Sequence, residues 1–350
     1  MGVIRLKRPL IGILVSSRRK REQVLEQYER FHNQKVRLYA FSPADIHWKE
    51  KRIAGLYLNG SVCKSKWFPF PEAVYNRCYN REMTKTIKRL KKRVGNKVFN
   101  QLNFFNKWRM YKIIARSAYN TYLPVTLPYN QENLKALLRK HNLIYIKPIY
   151  GNKGEKVYRI ERLENGEIHT SLHSLSPIHT WREDEDIISR IEQLIGQDKS
   201  IVQQGIRSSQ INQQLFDIRV LVQKDITRKW TVSSIVCRVA NKQYYNTSIF
   251  SDIYSFSAFS SRFLPSGHKL QDELNTVSVK VARLVEKNIG LMGELSVDFI
   301  LDEQQKLWII ELNGMPQKSI YADLQNAYHE QLAYRRPIEY AYYLSRAQRK

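Results

Sequence analysis

Near its C-terminus the chain reads Leu295-Ser-Val-Asp298-Phe-Ile-Leu-Asp302, then Glu-Gln-Gln-Lys, then Leu307-Trp-Ile-Ile-Glu311-Leu-Asn313. Both apolar halves are rich in β-branched and aromatic residues, and the polar residues between them read as a hairpin connection. Side chains two apart on a strand share a face, so Glu311 and Asn313 are expected to point one way and Ile310 and Leu312 the other. If this strand pairs with the one carrying Asp298, three oxygen-bearing side chains converge. Hard oxygen donors of this kind suit Mg²⁺, which is commonly held by one or two carboxylates together with the phosphates of a nucleotide. Taken alone, the same pattern is an exposed polar hairpin face.

Other residues add to this chemistry. Lys147 ends a strand-like run just before a loop bracketed by glycines, Gly151-Asn152-Lys153-Gly154. Glycines let main-chain N–H groups approach phosphate oxygens, and a lysine adds a point charge. The spacing is not that of a Walker A loop, and Gly-x-x-Gly is also an ordinary turn. Asp217 and Arg219 share one face of a strand whose other face is Ile218, Val220 and Val222. Arg219, with Arg238 on the next strand, is placed to bind a γ-phosphate or to stabilise charge on a transferring phosphoryl group. Read as plain structure, the pair is an edge-strand salt bridge. Gln203 and Gln204 end a further strand, where main-chain groups at the edge can read adenine. The eight histidines are scattered, His32 and His47 reading as surface positions, and none sits in an H-E-x-x-H or joins a G-x-S-x-G. That pattern speaks against zinc and serine hydrolases.

The elements that must position these groups alternate along the chain. Ile11–Val15 and Val36–Phe41 read as strands flanking a helix over residues 18–33, a βαβ unit with a parallel sheet. A short strand at Ala73–Arg77 precedes a basic helix in which Met83, Ile87, Leu90 and Val94 form a buried stripe. Helices are expected over Lys107–Tyr119, Gln131–His141, Arg182–Ile195 and Leu270–Asn288. Strands are expected at Leu143–Ile149, Lys156–Arg162, Ser200–Gln204, Phe216–Val222 and Trp230–Ala240, and a helical tail closes the chain. The length of 350 residues suits two or three domains. The longest apolar run is far too short for a membrane span. Three cysteines, Cys63, Cys78 and Cys237, without C-x-x-C spacing read as free thiols in a cytoplasmic protein. The net charge is +26, and residues 1–120 hold 28 Lys/Arg against 7 Asp/Glu. A domain this basic attracts polyanions such as nucleic acid or an acidic polymer.

The order of these motifs resembles the ATP-grasp superfamily, and nearly the whole chain is similar to one branch of it, the endospore-coat-associated YheC/YheD family. The resemblance rests on Phe70-Pro-Glu-Ala-Val-Tyr75, Asn106-Lys107-Trp108, Leu123-Pro-Val-Thr126, Ile146-Lys-Pro148 and Phe216-Asp-Ile-Arg219-Val-Leu-Val. It implies an ATP-grasp fold, α/β plus α+β: a basic N-terminal α/β domain over residues 1–105, a first grasp subdomain with a mobile lid over 106–204, and a metal-bearing subdomain over 205–350. It implies that Lys107 and Lys147 bind ATP phosphates under Gly151–Gly154, that adenine lies near Gln203, Gln204 and Ile206, and that Asp298, Glu311 and Asn313 hold Mg²⁺. Arg219 and Arg238 would face the transferred phosphate or an acceptor carboxylate. The implied activity joins an unidentified carboxylate and amine through an acyl phosphate, in the mother-cell cytoplasm or the spore coat, with coat proteins as partners. A nucleotide-binding coat scaffold without turnover and a polyanion-binding protein are the alternatives. Lys156 stands where the family pattern has glycine, and Asn76 stands where it has an acid. Duplex DNA is expected to bind the basic domain at ~50 mM salt and to weaken steeply as salt rises, because neutralised phosphates release counterions. Absence of binding in a fluorescence titration at that salt would remove the polyanion idea.

Overall fold

The chain is described from a computed structural model, which covers residues 8–182, 187–264, 267–324 and 326–347. Three sheets organise it. The first contains β1 (Leu10–Leu14), β2 (Arg37–Phe41), β3 (Ile46–His47), β4 (Arg52–Asn59), β5 (Val62–Pro69), β6 (Ala73–Asn76) and β7 (Val98–Phe99), in the order β3-β4-β2-β1-β6-β7 with β5 on β4. The strands β2, β1, β6 and β7 are parallel, and β4 joins them antiparallel. The expected βαβ unit is present, with α1 (Arg21–Phe31) as its crossover. Alternation along β1 is resolved into two cores: Ile11, Ile13 and Val15 pack with α1, whereas Leu10 and Leu14 pack with α2 (Thr84–Val94). The stripe Met83, Ile87, Leu90 and Val94 is buried there, leaving the lysines and arginines of α2 on the outside.

The second sheet is antiparallel, in the order β12-β11-β10-β9-β13-β8. Its strands are β8 (Thr126–Pro128), β9 (Leu143–Pro148), β10 (Tyr158–Arg162), β11 (Ile168–Leu172), β12 (Pro177–Trp181) and β13 (Ser200–Gln204). Helix α3 (Lys107–Ala115) precedes it, and α4 (Gln131–Lys140) and α5 (Ile187–Ile195) cover one face, burying Ile144 and Ile146. Tyr145 and Lys147 therefore face the other side. Helix α3 stops short of the expected Tyr119 because the Ser117 hydroxyl donates to the Ile114 carbonyl at 2.7 Å and accepts the Tyr119 N–H. Strand β10 begins at Tyr158 rather than Lys156, since Gly154 and Lys156 adopt left-handed φ of 72° and 54°. Of the charged run Arg182–Asp186, residues 183–186 lie outside the described residues.

The third sheet, order β17-β16-β15-β18-β19 with β14 on β15, is built from β14 (Gln210–Ile211), β15 (Gln214–Lys224), β16 (Trp230–Ala240), β17 (Phe250–Ser255), β18 (Glu294–Leu301) and β19 (Leu307–Asn313). Helices α6 (Phe256–Phe263) and α7 (Gly267–Ile289) cover its apolar face, where Ile218, Val220, Val222, Leu295, Val297 and Phe299 form the largest core. Asp217 and Arg219 thus lie on a central strand, not on an edge. The last helix, α8 (Ala327–Arg346), packs Tyr334, Ile338, Tyr340 and Leu344 into the core of the first sheet. Its neighbour Lys318 donates to Tyr28 at 2.8 Å and Tyr75 at 3.1 Å and pairs with Glu294 of β18 at 2.8 Å, tying the first sheet to the third. Burial pushes the Glu294 carboxyl up, but Lys318 and Arg77 outweigh it and hold it below its ordinary value. His47 is exposed as expected, whereas His32 is half-buried and bonded to Glu29 at 2.9 Å.

Glu294→Gln removes the buried anion between two cations. It is expected to lower unfolding stability by about 3–5 kcal/mol, the usual cost of breaking a buried pair from one side. A urea titration checks this, and a loss under ~1 kcal/mol would show that the knot does not hold the sheets together.

Candidate functional site

The polar face of the third sheet, the inner face of the second and the carboxyl ends of β1 and β6 enclose one cavity of about 700 Å³. Lys107, Lys147, Gly151, Asn152, Lys153, Gly154, Gln203, Gln204, Ile206, Arg219, Arg238, Asp298, Glu311 and Asn313 all line it. Three elements bring them there. Helix α3 opens with Lys107 because Asn106 caps it, accepting the Arg109 N–H at 2.8 Å. The Lys107 ammonium lies 2.8 Å from Glu311 and 2.9 Å from the Gly151 carbonyl, so helix, hairpin and loop meet at one side chain.

Lys147 projects from β9 and donates to Gln203 Oε1 at 2.7 Å, while Gln203 Nε2 donates to Thr126 at 2.9 Å. Burial, opposed by Glu311 and reinforced by Lys107, brings the Lys147 ammonium down to about 8. Gln204 spends its main-chain N–H on the Val125 carbonyl at 2.8 Å, and its side-chain oxygen accepts the Val125 N–H at 3.1 Å. The next N–H, from Gly205, goes to Leu143 at 2.8 Å. The main-chain donors expected to read a base at Gln204 are therefore already used by β-sheet neighbours.

The loop after Lys147 alternates hand. Gly151, Lys153, Gly154 and Lys156 all have positive φ, so Lys156 occupies a conformation that suits glycine. Gly154 is closed in as well: a Cβ there would lie 2.4 Å from the Asn246 amide. Asn246 donates to the Lys153 carbonyl at 3.0 Å, and Tyr245 donates to Val157 at 2.7 Å. Sequence reasoning did not assign residues 245–247 to the site. Their signal was weak, because an Asn-Thr-Ser stretch between strands reads as an ordinary loop.

On the third sheet, Arg219 grips Asp298 through both oxygens, at 2.8 and 2.6 Å. Arg238 grips Asp217 in the same way and lies 3.5 Å from Asp298, while Thr247 donates to Asp217 at 2.7 Å. Burial pushes the Asp298 carboxyl up, but Arg219 above all, with Arg238 and Asn313, holds it below its ordinary value. Strands β18 and β19 pair Asp298 directly with Glu311 across a bulge. The bulge has a consequence that period-two reasoning could not supply: Ile310, expected on the opposite face, lines the cavity beside Glu311 and Asn313, while Ile309 and Leu312 enter the core. Among the described residues Asp298 Oδ1 bonds only Arg219, and Glu311 meets Lys107 through one oxygen, so lone pairs remain on both carboxylates. Asn313 places its amide 3.3 Å from Asp298. These oxygen donors fit a hard divalent cation.

The cavity lining carries eight Lys/Arg against four Asp/Glu, an excess that selects anions. The fold as a whole matches that of ATP-grasp enzymes. D-alanyl-alanine synthetase A of Vibrio cholerae superposes with a TM-score of 0.56 at 15% identity, over 94% of this chain and 97% of that one. The VanG D-Ala:D-Ser ligase of Enterococcus faecalis gives 0.54 at 10% identity, over 96% and 100%. Within that class the chain belongs to the YheC/D-like ATP-grasp family, whose model matches residues 95–344. It is 25% identical over 320 residues to the endospore coat-associated protein YheD of Bacillus subtilis, covering 88% of this chain and 70% of that protein. It is 22% identical over 327 residues to YheC of the same organism, covering 88% of each. Among the described residues no helix is long and apolar enough to cross a membrane.

Asp217→Asn takes from the buried Arg238 its bidentate partner and leaves it only Asp298 at 3.5 Å. A loss of about 3 kcal/mol is expected, read as a lowered thermal midpoint, with Thr247→Val much milder. Equal effects of the two would show that the Asp217–Arg238 pair is dispensable.

Proposed function

We propose that this protein is an ATP-dependent carboxylate–amine ligase that binds MgATP in the shared cavity. The observation that carries this reading is the meeting of Lys107, Lys147, the glycine loop and the Asp298–Glu311 pair in one cation-rich pocket. In this reading Lys107 and Lys147 bind phosphate oxygens, the 151–154 loop lies over them, and adenine stacks beyond Gln203 against Ile206. Because the Gln204 and Gly205 N–H groups are spent, main-chain recognition of the base falls to Ile206. Asp298, Glu311 and Asn313 hold Mg²⁺, which supplies charge neutralisation on the phosphates.

The reaction begins when a substrate carboxylate oxygen attacks the γ-phosphorus. The bond from that phosphorus to the β-phosphate bridging oxygen breaks, and ADP leaves with the electron pair. Arg219 and Arg238 face the developing charge; preorganised guanidinium groups in a water-poor site stabilise it without reorganisation. An amine then attacks the acyl carbon, the C–O bond to phosphate breaks, inorganic phosphate departs, and the amine's proton is released to it or to water. The names of YheD and YheC support an association with the spore coat. In this reading the mobile lid implied by the sequence resemblance is the second sheet, which carries Lys147 and the loop.

MgATP at 100 times its dissociation constant is expected to stabilise the protein by about 2.7 kcal/mol, visible as a raised melting temperature. Lys147→Ala should abolish most of that gain, and Glu311→Gln should weaken binding more with Mg²⁺ than without it. The pH dependence follows from Lys147: with its ammonium at about 8, ATP affinity stays level below that pH and falls roughly tenfold per unit above it. Lys147→Arg should flatten the profile. No stabilisation by MgATP would refute the reading; binding without ADP release on any carboxylate–amine pair would favour the scaffold.

A further inference from the structure

The cavity is longer than its phosphate end. It runs on to the carboxyl ends of β1 and β6, where Val15 and Arg77 line it. Those two parallel strands flank the point where the order of the first sheet reverses, with β2 on the other side of β1. In open parallel sheets the crevice at such a point, beyond the carboxyl ends, is where ligands sit.

The charges at this end do not cancel. Lys318 has three donors, and Glu294, Tyr28 and Tyr75 take all of them. Its charge is therefore matched by Glu294 at 2.8 Å, and its hydrogen bonds are spent. Arg77 stands farther off, 3.6 Å from Glu294 and 3.4 Å from the Tyr75 hydroxyl through one nitrogen, and its buried Nε has no hydrogen-bond partner. Lys318 and Arg77 thus share one carboxylate, and Arg77, which lines the cavity, keeps a buried Nε with no partner among the described residues. Lys20 lines the same end, and no carboxylate among the described residues lies within ion-pair distance of it. Beside them Gln23 and Gln27, one helical turn apart on α1, present amides, and Val24 and Tyr334 present apolar surface.

The two ends of the cavity have a known separation along β18. Glu294, behind Arg77, and Asp298, in the metal hairpin, lie four positions apart on one face of that strand. At about 3.3 Å per residue the distance is about 13 Å. A single amino acid does not reach across it, whereas an extended chain covering about 3.5 Å per residue does so with three or four residues.

We propose that the acid acted on is an extended, peptide-like diacid: one carboxylate lies beside Arg219 and Arg238, and the far carboxylate binds Arg77 and Lys20 between β1 and β6. This rests on the nucleotide reading and adds to it a substrate class with a length and a second charge. The amides of Gln23 and Gln27 suit the polar main chain of such a molecule, and Val24 and Tyr334 suit small apolar side chains.

The test uses the full chain with Mg²⁺ and a non-hydrolysable ATP analogue, and a ligand series that holds charge constant while length grows: succinate and N-succinyl-alanine peptides with one, two and three alanines. Calorimetry is expected to show the two- and three-alanine members binding at least tenfold tighter than succinate. Arg77→Gln should erase that advantage, and Lys20→Gln, at an exposed position that the fold does not need, should reduce it several-fold. The affinity of the ATP analogue in each variant reports that the cavity is intact. If the analogue binds but succinate matches the longest member, or no member binds, the extended-diacid assignment is wrong. A length advantage that survives both substitutions reflects the general positive field and equally overturns it. If the analogue itself does not bind the wild-type chain, the nucleotide reading fails first and takes this one with it.

Discussion

The third sheet buries charge on one of its two faces, and the rest of the molecule is arranged around that fact. Arg219, Asp298, Arg238 and Asp217 are each at most 8% exposed, packed on central strands opposite an apolar face. Taking such groups out of water costs several kcal/mol per ion, and the cost is met only when partners satisfy nearly every donor and acceptor. The two bidentate Arg–Asp grips do this, and Asn313 and Thr247 complete them. Well-packed hydrophobic residues could fill the same volume at equal or better stability. The charges therefore point to what the face meets, which is a cavity with an excess of cations.

That cavity is assembled from parts distant in sequence. Helix α3 delivers Lys107, the second sheet delivers Lys147 and the loop, and the β18–β19 hairpin delivers the carboxylates; the Lys107–Glu311 and Lys107–Gly151 contacts join all three. The first sheet closes the far end, held there by the knot of Lys318, Glu294, Arg77, Tyr28 and Tyr75 and by α8. Membership of the YheC/D-like ATP-grasp family agrees with this plan, since the matched stretch from 95 to 344 contains Lys107, Lys147, the 151–154 loop, Asp298 and Glu311. Val15, Lys20 and Arg77 lie before it, in the part of the chain where a substrate-specific contribution is physically possible.

Much of this was legible in the sequence because it is local. Alternation in Phe216–Val222 separates an apolar from a polar face whatever the strand pairs with, and the stripe Met83, Ile87, Leu90 and Val94 fixes the buried side of α2. What could not be read is set by tertiary contact. Tyr75 meets Glu294 from 219 positions away, so nothing near either residue announces the knot. Ile310 changed face through a bulge whose position depends on pairing, not on composition. The β4–β5 hairpin is a different case: Asn59 pairs with Val62, and the two-residue loop Gly60-Ser61 between them, with Gly60 at a φ of 65°, is a local turn signal. Lys156 stands where the family pattern has glycine, and its left-handed φ of 54° gives the physical reason a glycine suits that place.

The most direct measurement is a crystal structure of the chain grown with Mg²⁺ and a non-hydrolysable ATP analogue. The triphosphate is expected between Lys107 and Lys147 beneath the 151–154 loop, with metal on Asp298 and Glu311 and the Lys107–Glu311 contact opened to admit it. A nucleotide bound elsewhere, or metal-free density with the Arg219–Asp298 and Lys107–Glu311 contacts unchanged at saturating analogue, would contradict it.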